Sequence, residues 1–230
     1  MVSQNRRDDS ARGRLLQAAA GEFAARGFDG ATVDRIAAVA RANKALVYYY
    51  FRSKAGLYRE ILRDLLGAVA DGVTAVRTAG GPPDRQLAAF IAALGREAAA
   101  RPHFPAIWLR EMAGGGRHLD DAVIGQAQRV ILTLTGILAD GRKAGLFREA
   151  HPFLTHIGIV APLVMFLASG PVRARFQKHL PASIANIAPD AMLRHLETSV
   201  LAALAPERAG LVSAPARKES RPLSSRRPRP

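Results

Sequence analysis

The chain has 230 residues, 49% of them apolar and 23% charged, with no cysteine and a formal net charge of +14. That length allows one large domain or two small ones, with a core that needs no covalent staples. The composition excludes a collagen-like or wholly disordered chain, and the lack of cysteine excludes a disulfide framework, a thiolate metal site and cysteine nucleophilic catalysis. It fits a reducing, cytoplasmic setting. The charge is uneven. Residues 1–60 carry 11 basic and 6 acidic side chains and residues 206–230 carry 7 and 2, while the long middle is nearly balanced. Basic ends point to a polyanionic partner, most simply nucleic acid.

Residues 1–9 are polar, with no apolar stretch behind their charges, so no secretory leader is expected and this start reads as disordered. From about Ala11 to Arg26, Leu15, Leu16, Ala19 and Phe23 recur at three- and four-residue steps, the period of an amphipathic helix, and Gly27 is its natural left-handed stop. Thr32 is a good N-cap for a two-turn helix built on Val33, Ile36, Ala37 and Ala40. Arg41-Ala42 break that helix. Asn43 caps a third helix through Phe51, with Val47 and Phe51 turned inward, and Ser53 caps a longer one through Leu57, Ile61 and Leu65.

Two short amphipathic helices joined by a three-residue turn form a helix-turn-helix arrangement, whose second helix enters the major groove. Its early residues here are Asn43, Lys44, Ala45 and Leu46. Asn and Lys bond base edges, and Ala and Leu touch a thymine methyl. The adjacent Tyr48, Tyr49 and Tyr50 point to different sides of one helix, so at least one hydroxyl must lie outward, able to donate to a phosphate. Lys54 stands in the first turn of the next helix, where a lone cation opposes the helix dipole unless an anion docks there.

The stretch from Leu15 to Leu62 resembles the DNA-binding domain of the TetR family of bacterial transcriptional regulators. The densest similarity lies in Thr32–Ala37, Asn43–Phe51 and Ser53–Leu57, and the Tyr-x-Tyr-Phe-x-x-Lys-x-x-Leu run carries most of it. The resemblance implies an all-α fold: a three-helix helix-turn-helix head (residues 10–53) and a helical body for ligand binding and dimerisation (54–205). It also implies a homodimer on double-stranded DNA that answers to a small-molecule effector. By position, Thr32 and Val33 match the phosphate-facing start of the second helix. Lys44, Ala45 and Leu46 match base-facing positions, and Tyr48, Tyr49 and Lys54 match phosphate contacts. The chain departs from the family at Arg41, where glycine is usual. An arginine there costs about 1 kcal/mol in a left-handed turn, or adds a phosphate contact. It also has Ala42, Ala45 and Leu46 where a larger aliphatic, a glycine and a small polar residue are common, which bears on base preference.

Beyond Lys54 no strand pattern is visible. Helices are expected at about 54–77, 83–100, 103–113, 119–144, 152–169 and 190–205, with breaks at Gly80-Gly81-Pro82-Pro83 and Gly114-Gly115-Gly116. The apolar run 157–168 has 12 residues, short of the roughly 20 that span a bilayer, so no membrane partner is expected. Phe104, Trp108, Met112 and Phe166, with His118 and His156 as polar contacts, are candidates to line a ligand cavity, against the plainer reading of core packing. The last helix, with Ala191, Leu193, Leu196, Val200 and Leu204, and the one at 152–169 are candidate dimer elements. The tail from Pro206 to Pro230, rich in Pro, Ser and Arg, reads as disordered.

Six scattered histidines give no metal spacing, and no phosphate loop, Gly-x-Ser-x-Gly or His-Glu-x-x-His is present. No cofactor is expected, and an enzyme is not. Two readings stand. One is a ligand-responsive repressor released from a palindromic operator. The other is a sequence-tolerant architectural DNA-binding protein driven by its basic ends.

Overall fold

The protein, seen in a computed structural model, is described over residues 2–182 and 186–206, with side chains from residue 11 onward. The basic tail from residue 207 lies outside the described residues. Helices α1 (Val2–Gly30), α2 (Val33–Val39) and α3 (Ala45–Phe51) form a head. Helices α4 (Lys54–Ala79), α5 (Pro83–Ala99), α6 (Phe104–Ala113), α7 (Asp121–Lys143), α8 (Pro152–Ala168), α9 (Gly170–Phe176) and α10 (Pro189–Leu204) form a body. Among the described residues there is no strand, so the expected all-α class holds.

Helix α1 is already running at Val2, where the sequence suggested a disordered start; its polar opening has no apolar period to betray a helix. The stop expected at Gly27 is present as a kink with φ 72°, after which one further turn reaches Gly30. Helix α9 was not anticipated, because seven residues with none buried leave no periodicity to read.

Helix α4 is the axis of the molecule. It packs along α5 and α7 in the body and against α1 and α3 in the head. Its buried face runs continuously from Leu57 through Leu62, Leu65 and Val69 to Val73, so one apolar stripe serves both regions. The core continues through Leu87, Phe90 and Ile91 of α5, Ile107 of α6, and Leu134 and Ile137 of α7. By length and composition α7 is apolar enough to cross a membrane, but here it packs on α4, α5 and α8. The loop after α7 is tied to the end of α10: the Arg148 backbone N–H donates to Leu204 O at 2.8 Å and its Nε to Ala203 O at 2.6 Å. These bonds satisfy carbonyls that a helix end leaves free.

Candidate nucleic-acid interface

The head is held by its own apolar centre. Leu15, Ala19 and Phe23 of α1 meet Ile36 and Ala40 of α2 and Val47 and Phe51 of α3, all buried, with Leu57 of α4 closing the cluster. Helices α2, α3 and α4 are each started by a side chain. Thr32 Oγ1 accepts from the Arg35 N–H at 3.3 Å, and Ser53 Oγ accepts from the Gly56 N–H at 3.0 Å. Asn43 Oδ1 accepts from the Ala45 N–H at 2.8 Å, which makes it the capping side chain of α3 even though the helix proper begins at Ala45. The turn from α3 into α4 is so close that a Cβ on Gly56 would lie 2.0 Å from Phe51 O. Only glycine fits there.

With Val47 and Phe51 buried, the opposite face of α3 is open. Tyr48 is 53% and Tyr49 73% exposed, while Tyr50 is half-buried with its ring 6.0 Å from that of Phe51. Two tyrosines therefore lie outward where the sequence required at least one. Asn43, Lys44 and Ala45 are exposed and Leu46 half-buried, so the four candidate base-facing residues fall on one accessible end of α3. Thr32 is exposed and Val33 half-buried at the start of α2. Lys44 Nζ lies 3.0 Å from Asp34 Oδ1, and the hydrogen bond and charge of Asp34 hold its ammonium above the ordinary lysine value.

Lys54 is placed differently from its expected role. Its ammonium turns inward, donating to Phe28 O at 2.9 Å and Ala31 O at 3.0 Å, and it sits 4.5 Å from the centre of the Phe28 ring. A cation in the first turn of α4 is thus explained without an anion: the carbonyls at the end of α1 compensate it. Two of its three donors are taken.

The seam between head and body contains a polar lock that sequence reading missed. Glu111 of α6 is only 3% exposed. Its carboxylate accepts from the His118 backbone N–H at 2.7 Å and stands 2.9 Å from His118 Nδ1, with the Tyr58 hydroxyl nearby. Burial alone would raise this carboxyl, but the hydrogen bonds from His118 and Tyr58 outweigh it and hold the group below its ordinary value. Burial, with Glu111 beside it, pushes the Tyr58 hydroxyl well above the usual range. The rings of Phe28, Tyr58 and His118 pack together, with centroids 4.1 to 5.3 Å apart. Arg117 adds a surface pair to Asp29 at 2.6 Å. The signal for Glu111 was its spacing: Phe104, Ile107 and Glu111 recur at i, i+3 and i+7, which puts the carboxylate on the buried face.

The six candidate ligand residues do not share one cavity. Phe104 lines a cavity of about 520 Å³ between α1, α4 and α6, walled also by Leu16, Ala20, Ile61, Leu65 and Ile107. Trp108 stacks on Phe104 at 5.7 Å, and Met112 is exposed. His118 is engaged in the polar lock. Phe166 lies under Arg173 and lines a separate cleft of about 190 Å³ with α5 and α10. His156, half-buried on α8, has an Nδ1 without a hydrogen-bond partner among the described residues, and burial lowers its pKa. The sequence could not separate these residues, because apolar helix faces look alike whether they line a void or fill it. Among the described residues no cluster of His, Asp and Glu could hold a metal ion.

A capped, cored three-helix head with tyrosines and a lysine on an open recognition helix, mounted on an all-helical body, is the architecture of a helix-turn-helix DNA-binding regulator. Residues 15–61 match the family model of bacterial regulatory proteins, tetR family. Over 170 residues the chain is 28% identical to the HTH-type transcriptional repressor NicS of Pseudomonas putida, covering 70% of this chain and 77% of that one. Over 54 residues it is 46% identical to the HTH-type transcriptional repressor SCO4008 of Streptomyces coelicolor, covering 24% and 28% of the two chains. Its fold matches a TetR family regulator from Marinobacter aquaeolei with a TM-score of 0.68 at 19% identity, covering 87% of this chain and 98% of that one. It also matches PfmR of Thermus thermophilus with a TM-score of 0.65 at 21% identity, covering 82% and 97%. Residues 15–61 are thus similar to the DNA-binding head of tetR family regulatory proteins, and the chain as a whole shares the fold of solved TetR family regulators.

Proposed function

We propose that the protein is a repressor that binds a near-palindromic operator as a homodimer and is released by a small molecule. The observation that carries the DNA end of this reading is the open face of α3, with Lys44, Tyr48 and Tyr49 outward and the opposite face locked into the head core. Asn43, Lys44, Ala45 and Leu46 meet base edges. Thr32, Val33, Tyr48 and Tyr49 meet phosphates, while Lys54 holds the end of α1. Two heads seat in successive major grooves, with half-sites roughly 34–36 Å apart or a multiple of that.

Three features support dimerisation and effector response. Phe153, Leu154 and Ile157 expose apolar surface on α8, which packs beside α10, as a four-helix interface between copies requires. The cavity of about 520 Å³ is walled by α1 of the head and by α4 and α6 of the body, so a molecule bound there touches both regions. The unpartnered Nδ1 of His156 leaves a polar atom in the body that a ligand could engage. A ligand shifts the head only by its difference in affinity for the two forms; a coupling of about 1–3 kcal/mol gives roughly 5–150-fold release.

Fluorescence anisotropy of the full chain against the DNA flanking its own gene tests the reading, with a scrambled duplex alongside at two salt concentrations. A preference of about a thousandfold or more for the flanking DNA is the expected result. Equal, steeply salt-dependent binding to both duplexes would favour sequence-tolerant architectural binding through the basic ends instead.

A further inference from the structure

Among the described residues, two that are not glycine have a left-handed backbone, and both are arginines: Arg41 at φ 49° and Arg52 at φ 66°. They bracket the recognition helix. Arg41 lies in the turn before α3, where its N–H bonds Ala38 O at 3.1 Å. Arg52 directly follows α3, where its N–H bonds Tyr48 O at 2.9 Å. This conformation costs any residue with a Cβ, and glycine would relieve it. The turn geometry itself therefore does not call for arginine at either place.

Nor do the side chains serve the fold. Both are exposed. The other described cations of the head are engaged: Arg12 with Glu60, Arg14 with Ala40 O, Arg26 and Arg35 with Glu22, Lys44 with Asp34, and Lys54 with two carbonyls. Arg59 and Arg63, at the start of α4, pair with Asp120. Arg41 and Arg52 have no acidic, carbonyl or ring partner among the described residues. Two free guanidiniums, each on a strained backbone, are thus held on either side of one helix. Arg41 precedes the stretch 43–46 assigned to base edges and Arg52 follows the last turn of α3, so both guanidiniums flank the base-facing positions and neither is one of them. Guanidinium is the side chain best suited to grip phosphate, through two parallel N–H bonds.

We propose, on the DNA-binding reading given above, that Arg41 and Arg52 are a pair of phosphate clamps, one before and one after the recognition helix, retained at a cost in backbone strain because they seat α3 in the groove. They act on the backbone, so they add affinity for any sequence and fix the register of Lys44 and its neighbours against the bases.

The test separates strain from grip. Arg41→Gly and Arg52→Gly are made in the full chain, with Arg41→Asn and Arg52→Asn as variants that also tolerate the left-handed region, and Arg85→Ala at an exposed position of α5 as a control for lost charge. Thermal denaturation is measured alongside anisotropy titrations against the DNA flanking the gene and a random 30-base-pair duplex, over a range of salt. The expected result is a Tm equal to or above that of the wild type with about tenfold weaker binding to both duplexes. The slope of log K against log salt should also be shallower by about 0.9 per head for each clamp removed. Arg85→Ala should leave affinity and slope unchanged. Affinity and slope unchanged in the clamp variants, or altered as much by Arg85→Ala, would overturn the proposal. So would a drop in Tm in both the glycine and asparagine variants, which would make these arginines structural.

Discussion

The recognition face of α3 and the outer face of α8 are both open, yet they are open to different things. On α3 the exposed large side chains are tyrosines, Tyr48 and Tyr49, with Lys44 beside them and Arg41 and Arg52 at its ends. On α8 they are Phe153, Leu154, Ile157 and Met165, with Leu154 67% exposed. An aromatic ring that ends in a hydroxyl, set among cations, suits a wet and negatively charged partner. A run of apolar side chains gains only by leaving water, and a second copy of the same face would provide that. Exposure alone therefore says little; the chemistry at the tip of the exposed side chain distinguishes a nucleic-acid surface from a self-association surface.

Four changes would break or sharpen this contrast. The largest effect falls on what joins the two faces. Phe23 is fully buried, its ring 4.8 Å from Tyr58 and 6.1 Å from Phe28, and Phe23→Ala should cost about 3–5 kcal/mol in urea denaturation, impairing head and seam together. Next is Leu154→Glu on the α8 face. It should weaken self-association about a hundredfold by sedimentation equilibrium, at little cost to the folded monomer, because the residue is exposed within one chain. Unchanged self-association would remove α8 from the interface.

The third change tests the polar lock. Glu111→Gln should cost about 1–3 kcal/mol at neutral pH by leaving the partners on His118 and Tyr58 poorly matched. The carboxyl is held below its ordinary value of 4.5 in the folded protein. Its contribution is therefore fully present above that value and is lost as pH falls through the lower folded value. Denaturation midpoints of the wild type should fall in that acid window, and those of Glu111→Gln should fall less. Parallel curves would rule Glu111 out as the source. The smallest effect is expected from Lys44→Ala, about tenfold weaker binding to the native duplex by anisotropy, with self-association untouched. Removing Lys44 also frees Asp34 beside the DNA, so Asp34→Asn should restore part of the loss.

The head was the more legible region because its structure is local. Thr32, Asn43 and Ser53 each bond a backbone N–H two or three residues on, so the helix starts are encoded within four residues of sequence. The left-handed turn at Arg41 was expected only through the resemblance, which has glycine at that position. The body helices showed their periodicity, but not which side of each apolar stripe met which neighbour. That is why Phe104 and Phe166, indistinguishable in sequence, line two different cavities.

By itself, then, the sequence determined the helix periods, the caps of the short helices and the Tyr-rich recognition segment, since each depends on residues a turn or less apart. The tertiary structure decided the rest. It turned Lys54 away from the open face to hold the end of α1, it sank Glu111 into a seam with Tyr58 and His118, and it left Arg41 and Arg52 as the free cations at the ends of α3. These outcomes depend on partners 7 to 53 residues away or on a residue having none. No local pattern records such distances, because a charged side chain on a helix looks the same in sequence whether it meets water, a carbonyl or another charge.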